Sequence, residues 1–439
     1  MFTKVRKSLS KPFISQLNYL IFEGMRFYPN STSSNLIRQA VALFFLIGIF
    51  MSLPLWNLNR EFPVVPLFSI FSTPHIFVNR FVLALLIFAL TMTVLFENKR
   101  FIYLIYGCST YLLTEDQIRW QPWVYIYLLT LFPYSYNTSE EQKSSYLRVL
   151  FIGIYIWSGI HKINPYFNDL IVESFAIDIF RLQNPQVLSQ IKNIGTLIPI
   201  FEITSGVLLI FKSTRSIALY ALITMHIFIL LYLSPFVMNG NYIVYPWNIL
   251  MVFSLLILFS KTAFSKQPNF LSFTKSNILV SILLFSLTTP ILLYSNIWSN
   301  FTSFSLYSGN TSNMYLLSAK NIPHLTKYNI LEEEIKKGEI IDLNLWSSKT
   351  LNVPIPPEKR IFNEIAKQLS KENENVVFIT SRTPLWKRKI LQTYVSESYK
   401  QKLQWINSLS PIYFNDSVYI KIDRKFKFSN PNHLIELND

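Results

Sequence analysis

Apolar residues in this chain come in long blocks separated by short polar stretches, and that blocking constrains the fold more than any single motif. One of the blocks reads VLFIGIYIWSGIHKI at 149–163. A bilayer core needs about 20 apolar residues per helix, and the blocks are near that length. Candidate spans are 36–56, 78–97, 101–113, 120–136, 147–163, 194–211, 216–236, 243–260 and 276–297, nine in all, with 101–113 the shortest. Only 15% of the residues are charged against 51% hydrophobic, a balance outside the range of ordinary soluble domains. The expected fold class is an all-α polytopic membrane protein of about nine transmembrane helices, followed by a small C-terminal α+β extracytoplasmic domain.

The net charge of +15 sorts by loop. Numbered from an inside N-terminus, the inside segments carry Lys4, Arg6, Lys7 and Lys11, then Lys99 and Arg100, then Lys143 and Arg148, then Lys212 and Arg215, then Lys261, Lys266 and Lys275. The outside connections hold fewer: Arg60, Arg119, Arg181 and Lys192, with none in 237–242. This is the positive-inside pattern. It predicts a multi-pass protein of a bacterial inner membrane, N-terminus cytoplasmic and C-terminal domain periplasmic. The basic balance is therefore topological, and no nucleic-acid partner is expected; the partners are the lipid bilayer and an exported peptide or protein. The N-terminal residues lack the apolar core and small-residue cleavage site of a signal peptide. The single cysteine, Cys108, excludes an intramolecular disulfide and a cysteine metal site, and no metal is assigned.

Three regions follow. Residues 1–35 form a basic, interfacial N-terminal arm. Residues 36–297 form the membrane domain, within which 164–193 reads as an amphipathic helix lying flat on the outer face. Residues 298–439 form the exported unit. There NMYLLSA, GEIIDLNLW and NVVFITS look like strands, 357–372 like a helix with Pro357 in its first turn, and LNLWSSKTLNVPIPPEKR like an ordered turn. The basic cluster SRTPLWKRK at 381–389 reads as a solvated helix start, and His324 and His433 are isolated.

Ionisable groups inside apolar spans are costly and usually functional. Here they are Asp116 with Arg119, His161 with Lys162, Glu202 and His226, beside the polar corner Asn239, Asn241, Trp247 and Asn248. Lys162 has two readings. Its stem can lie in apolar surface while the ammonium reaches water, or burial can favour the neutral amine, which then takes a proton. Glu202 is a helix-packing hydrogen bond or a charge partner that tunes the site. His226 bonds a neighbouring helix or joins the same site. Asp116 and Arg119 read as an ion pair capping a turn. Trp120, Trp123, Tyr125 and Tyr127 read as an interfacial aromatic belt rather than a ligand wall. Asn248 needs a hydrogen-bond partner.

Three stretches carry a resemblance: YIWSGIHKINPYF, FEITSGVLLIFKSTRSIALYALITMHIFILLYLSPF and DQIRWQPWVYIYLL. In this order of motifs the chain resembles the horizontally transferred transmembrane (HTTM) family, which includes vitamin K-dependent γ-glutamyl carboxylases. The resemblance implies a quinol-dependent modifier of exported polypeptides. In it Lys162 is the catalytic base, Glu202 and His226 belong to the catalytic set, and His161, Trp157, Trp120, Tyr125 and Asn248 lie against a reduced naphthoquinone. Two departures stand out: Trp123 occupies the place of a family histidine, and the doublet before the apolar stretch ends is His161–Lys162. The competing expectations are a non-catalytic accessory protein in the maturation or export of secreted peptides, with the tail binding a partner, and, less well matched, a transporter.

Overall fold

The structure is a computed structural model that describes residues 32–71, 75–237, 242–260, 270–295, 297–318, 324–328, 339–372, 376–382, 390–395 and 412–413. The N-terminal arm up to residue 31, the basic residues Lys261 and Lys266, residues 383–389 of the basic cluster, and His433 lie outside the described residues.

The helices are α1 (Ser33–Met51), α2 (Leu53–Trp56), α3 (Ile76–Leu95), α4 (Lys99–Glu115), α5 (Pro122–Leu131), α6 (Glu140–Lys162), α7 (Glu173–Phe180), α8 (Pro185–Gly195), α9 (Leu197–Leu208), α10 (Arg215–Tyr232), α11 (Val244–Phe259) and α12 (Asn277–Thr288). Among the described residues, five segments are long and apolar enough to cross a membrane: Ser33–Met51, Ile76–Leu95, Pro185–Leu208, Arg215–Tyr232 and Asn277–Ser295. The other expected spans fall on helices that are shorter, as α4, α5 and α11 are, or more charged, as α6 is. Nine spans are therefore not what length and apolarity alone support; five are.

Local sequence explains the best-defined helix. Ser139 and Gln142 form a capping box at the start of α6: the Gln142 amide donates to Ser139 Oγ at 3.2 Å and the Ser139 amide donates to Gln142 Oε1 at 2.8 Å. Glu140 and Glu141 sit in its first turn, His161 and Lys162 in its last, each matching the helix dipole. The helix stops before Pro165, where Asn164 Nδ2 donates to the His161 carbonyl at 2.8 Å.

The segment 164–193 is not one flat helix. Phe167–Val172 form a π-turn that runs into α7. Arg181 then takes a left-handed backbone (φ 53°) that ends α7, and α8 continues into α9 as one apolar rod. Lys192 ties the two parts together, 2.9 Å from Asp169 and 3.4 Å from Glu173. Phe175 packs edge-on against Tyr232 of α10 at 4.2 Å.

The expected Asp116–Arg119 pair is one edge of a larger buried knot. Arg60 lies 2.7 Å from Asp116, Arg119 lies 2.8 Å from Glu115 and 3.8 Å from Asp116, and Asn79 donates to Glu115 at 2.6 Å. Arg119 spends its remaining donors on the carbonyls of Leu55, Leu112 and Trp56. Two cations and two anions thus pair with one another and bind the connections α2–α3 and α4–α5 into a single block.

The C-terminal unit is an antiparallel sheet of β1 (Asn313–Ser318), β2 (Glu339–Asp342), β3 (Val376–Arg382), β4 (Ile390–Val395) and β5 (Ile412–Tyr413), in the order β2-β1-β3-β4-β5, with helices α13 (Leu343–Leu351) and α14 (Lys359–Glu372). The expected α+β class holds, with two local differences. Leu343–Leu351 is a helix, because Asp342 Oδ1 accepts the amides of Asn344 and Leu345 and so starts one. Ser381 and Arg382 end a strand rather than starting a helix, and β4 pairs back on β3 from Ile390. The unit is docked on the end of α1 and on the connections α2–α3 and α4–α5. Asn352 Nδ2 donates to the Met51 carbonyl at 2.9 Å, Gln121 Nε2 to Pro354 at 2.9 Å and Gln368 Nε2 to Val64 at 2.7 Å; Arg360 contacts Gln117.

Removing one member of a buried charge cluster leaves the opposite charge uncompensated, at about 3–5 kcal/mol. Asp116→Ala is expected to lower thermal stability by that order in detergent, whereas Lys327→Ala, at a pair exposed on both sides and 3.9 Å long, is expected to leave it unchanged.

Candidate functional site

The site is built on α6. Tyr155, Ser158 and Lys162 recur at i, i+3 and i+7, so they share one face, turned toward α9 and α10. Two glycines let α6 and α9 approach. A Cβ on Gly159 would lie 2.5 Å from Ile203 Cγ1 and 2.9 Å from the Pro199 carbonyl, and one on Gly206 would lie 3.0 Å from Tyr155 Cβ. Small residues at membrane helix interfaces serve this purpose.

The close approach brings Lys162 to Glu202. Nζ donates to Glu202 Oε2 at 2.8 Å, to Ser158 Oγ at 2.5 Å and to the Ser158 carbonyl at 3.3 Å. The two side chains are 12% and 6% exposed. Three acceptors match the three donors of an ammonium ion. The contacts hold Nζ in a buried pair with Glu202 rather than reaching for water.

Deeper along the same face runs a second chain. Asn248 Nδ2 donates to the Val244 carbonyl at 2.8 Å, which leaves its Oδ1 to accept from His226 Nδ1 at 2.8 Å. His226 Nε2 is then the unprotonated nitrogen, and the Tyr155 hydroxyl donates to it at 2.8 Å. Asn248 has the partner that the sequence required. Glu202 is near enough for its charge to act on both Tyr155 and His226. Lys162, Glu202, His226 and Asn248 are therefore brought together, though Lys162–Glu202 and Tyr155–His226–Asn248 are separate hydrogen-bonded groups. All three ionisable residues expected in a catalytic set fall here, each with a hydrogen-bond partner.

The other expected ligand contacts go elsewhere. Trp157 and His161 are stacked, centroids 5.4 Å apart, and point from a different face of α6. Trp157 Nε1 donates to the Leu287 carbonyl at 2.8 Å, and His161 lies against Tyr294. Tyr125 packs on Phe304 at 5.9 Å. Trp120 is 37% exposed and donates to the Leu113 carbonyl, apart from both groups. The aromatic belt is not formed as expected, because Trp123 and Tyr127 are core residues, packed with Phe45, Trp56 and Trp247. No cluster of metal-binding side chains occurs among the described residues.

Ser158 and Tyr155 were passed over by the sequence reading. Their signal was positional: both lie on the helical face of Lys162, four and seven residues before it.

Lys162→Met leaves Glu202 buried without its cation and is expected to cost about 3–5 kcal/mol. Adding Glu202→Leu to it removes both charges, and the double variant is expected to recover most of that loss. Thermal unfolding of the three proteins in one detergent checks the cycle.

Residues 141–244 match the family model described as methylamine utilisation protein MauE. No curated protein and no solved structure matches the chain. The matched segment holds Tyr155, Ser158, Lys162, Glu202 and His226 and stops short of Asn248. This finding overturns the resemblance to the HTTM family: the family model that matches covers YIWSGIHKINPYF and nearly all it was joined to downstream, and it is a different one. The reason is physical. Gly, Lys and aromatic residues at the end of an apolar helix are chosen by packing and by the membrane boundary, so short motifs of this kind recur among unrelated spans. The chain is an integral membrane protein, about a quarter of which is similar to methylamine utilisation protein MauE.

Proposed function

We propose that the chain is a multi-pass accessory protein of a bacterial inner membrane that supports the maturation of an exported polypeptide. Its N-terminus is cytoplasmic and its C-terminal unit stands on the periplasmic side. The observation that carries this reading is the engagement of Lys162: its ammonium spends all three donors on Glu202 and Ser158. Those contacts hold Nζ between α6 and α9 instead of leaving it open to a substrate. The pair then acts as a fastening between α6 and α9. The closed Tyr155–His226–Asn248 chain adds a second fastening between α6, α10 and α11. The loop-by-loop sorting of Lys and Arg supports the orientation. Transport is disfavoured, because the intramembrane polar groups pair with each other rather than facing a path. The matched segment omits the C-terminal unit, so the substrate in that family's description is not carried over to this chain.

The test uses the native host. Deleting the chain is expected to remove the mature form of at least one exported polypeptide from the periplasmic fraction, and Lys162→Met with Glu202→Leu is expected to restore it as the wild type does. A folded double variant that behaves like the deletion places chemistry at the pair and overturns the reading. A deletion that changes no exported polypeptide overturns it as well.

A further inference from the structure

Between α12 and β1 the chain takes the left-handed backbone region three times within six residues: Phe304 (φ 58°), Tyr307 (φ 52°) and Gly309 (φ 76°). Phenylalanine and tyrosine are disfavoured there, and such backbone persists only where its surroundings hold it. What holds it is the end of α6. Asn164 Nδ2 donates at 2.8 Å both to the His161 carbonyl and to the Ser308 carbonyl, so one amide nitrogen joins the last turn of α6 to the loop. The Asn164 Oδ1 accepts the Phe167 amide at 3.1 Å and so also sets the start of the π-turn. Gly309 lies flat against the Tyr166 backbone, where a Cβ would come within 2.7 Å of the carbonyl oxygen. Ser305, Ser308 and Asn310 brace the loop internally through hydrogen bonds of 2.8 and 2.6 Å. Phe304 rests on Tyr125, and His161 Nε2 is buried with no hydrogen-bond partner among the described residues.

The other end of the loop is equally anchored. β1 starts at Asn313 and is an inner strand, paired with β2 on one side and β3 on the other. The loop therefore spans directly from the inner part of the exported sheet to the residues beside Lys162.

We propose that residues 303–310 are a two-position latch through which the C-terminal unit controls the Lys162–Glu202 pair. In the docked position Asn164 and Gly309 fix the last turn of α6 and keep the ammonium on Glu202. In the released position the loop sheds its left-handed residues, Asn164 loses Ser308, and the last turn of α6 frays, freeing Lys162. A partner that shifts the sheet is thus sensed inside the membrane boundary. The inference rests on the loop geometry and holds whether or not the chain is an accessory protein.

The test is hydrogen exchange followed by mass spectrometry on the full chain in nanodiscs, with the rate of Lys162 acylation by a water-soluble amine reagent read in parallel. Leu316→Ala loosens β1 without touching α6. It is expected to raise exchange at 158–166 and Lys162 labelling about tenfold, the response of a segment released by sub-global opening. Asn164→Ala is expected to give about the same change while 313–318 keep their protection. Tyr307→Gly removes a strained residue from the docked loop and is expected to slow exchange at 158–166 about threefold. A Leu316→Ala response confined to 313–382, or an Asn164→Ala protein in which 158–166 and Lys162 behave as wild type, overturns the proposal.

Discussion

The buried contact between Lys162 and Glu202 organises the membrane part of the molecule. In a medium of low polarity neither charge is tolerable alone, so the two helices that carry them must meet at one register. That requirement explains the glycines at 159 and 206, which permit the approach, and the serine at 158, which takes the donors that Glu202 cannot. The same logic governs the outer connections, where Arg60, Glu115, Asp116 and Arg119 cancel in a buried cluster. In both places a cation and an anion far apart in the chain specify a packing that apolar contact alone leaves loose. Lipid is as apolar as a helix face, so hydrophobicity separates water from membrane but does little to choose neighbours within it.

Much of the architecture was legible because its cause is local. Blocks of apolar residues announce helices, short apolar runs bounded by polar residues in NMYLLSA and NVVFITS announce strands, and Ile361, Ile365 and Leu369 announce the helix that carries them. The residues of the site were legible as types, since Lys162, Glu202 and His226 are anomalous wherever they sit in an apolar run. Their pairing was not: forty positions separate Lys162 from Glu202, and no local rule selects that partner among the available acids. The role of the lysine was not legible for the same reason, because it depends on what stands opposite. Trp120 and Trp123 show a subtler limit. Three residues apart, both amphipathic, they end on an exposed edge and in the core respectively, and only the crossing of α1 and α5 decides which.

Docking of the exported unit was the least legible feature. Gln121 to Pro354, Asn352 to Met51 and Gln368 to Val64 join positions 233, 301 and 304 residues apart. A change of composition near residue 298 marks where the membrane part ends, yet it says nothing about where the following unit comes to rest. Polar side chains reaching backbone carbonyls make those joints, and such contacts leave no periodic trace in the chain.

Those three joints bear on how the molecule is made. The platform that receives the C-terminal unit lies at residues 51–121, while the groups that meet it lie at 352–368, 233 to 304 positions away from their partners. A chain of self-sufficient hairpins can mature in step with its synthesis. This one joins segments far apart in sequence, so residues 51–121 stay without their partners until 352–368 are in place. Closure of such distant contacts is the slow class of folding event, so this joint forms after the local helices.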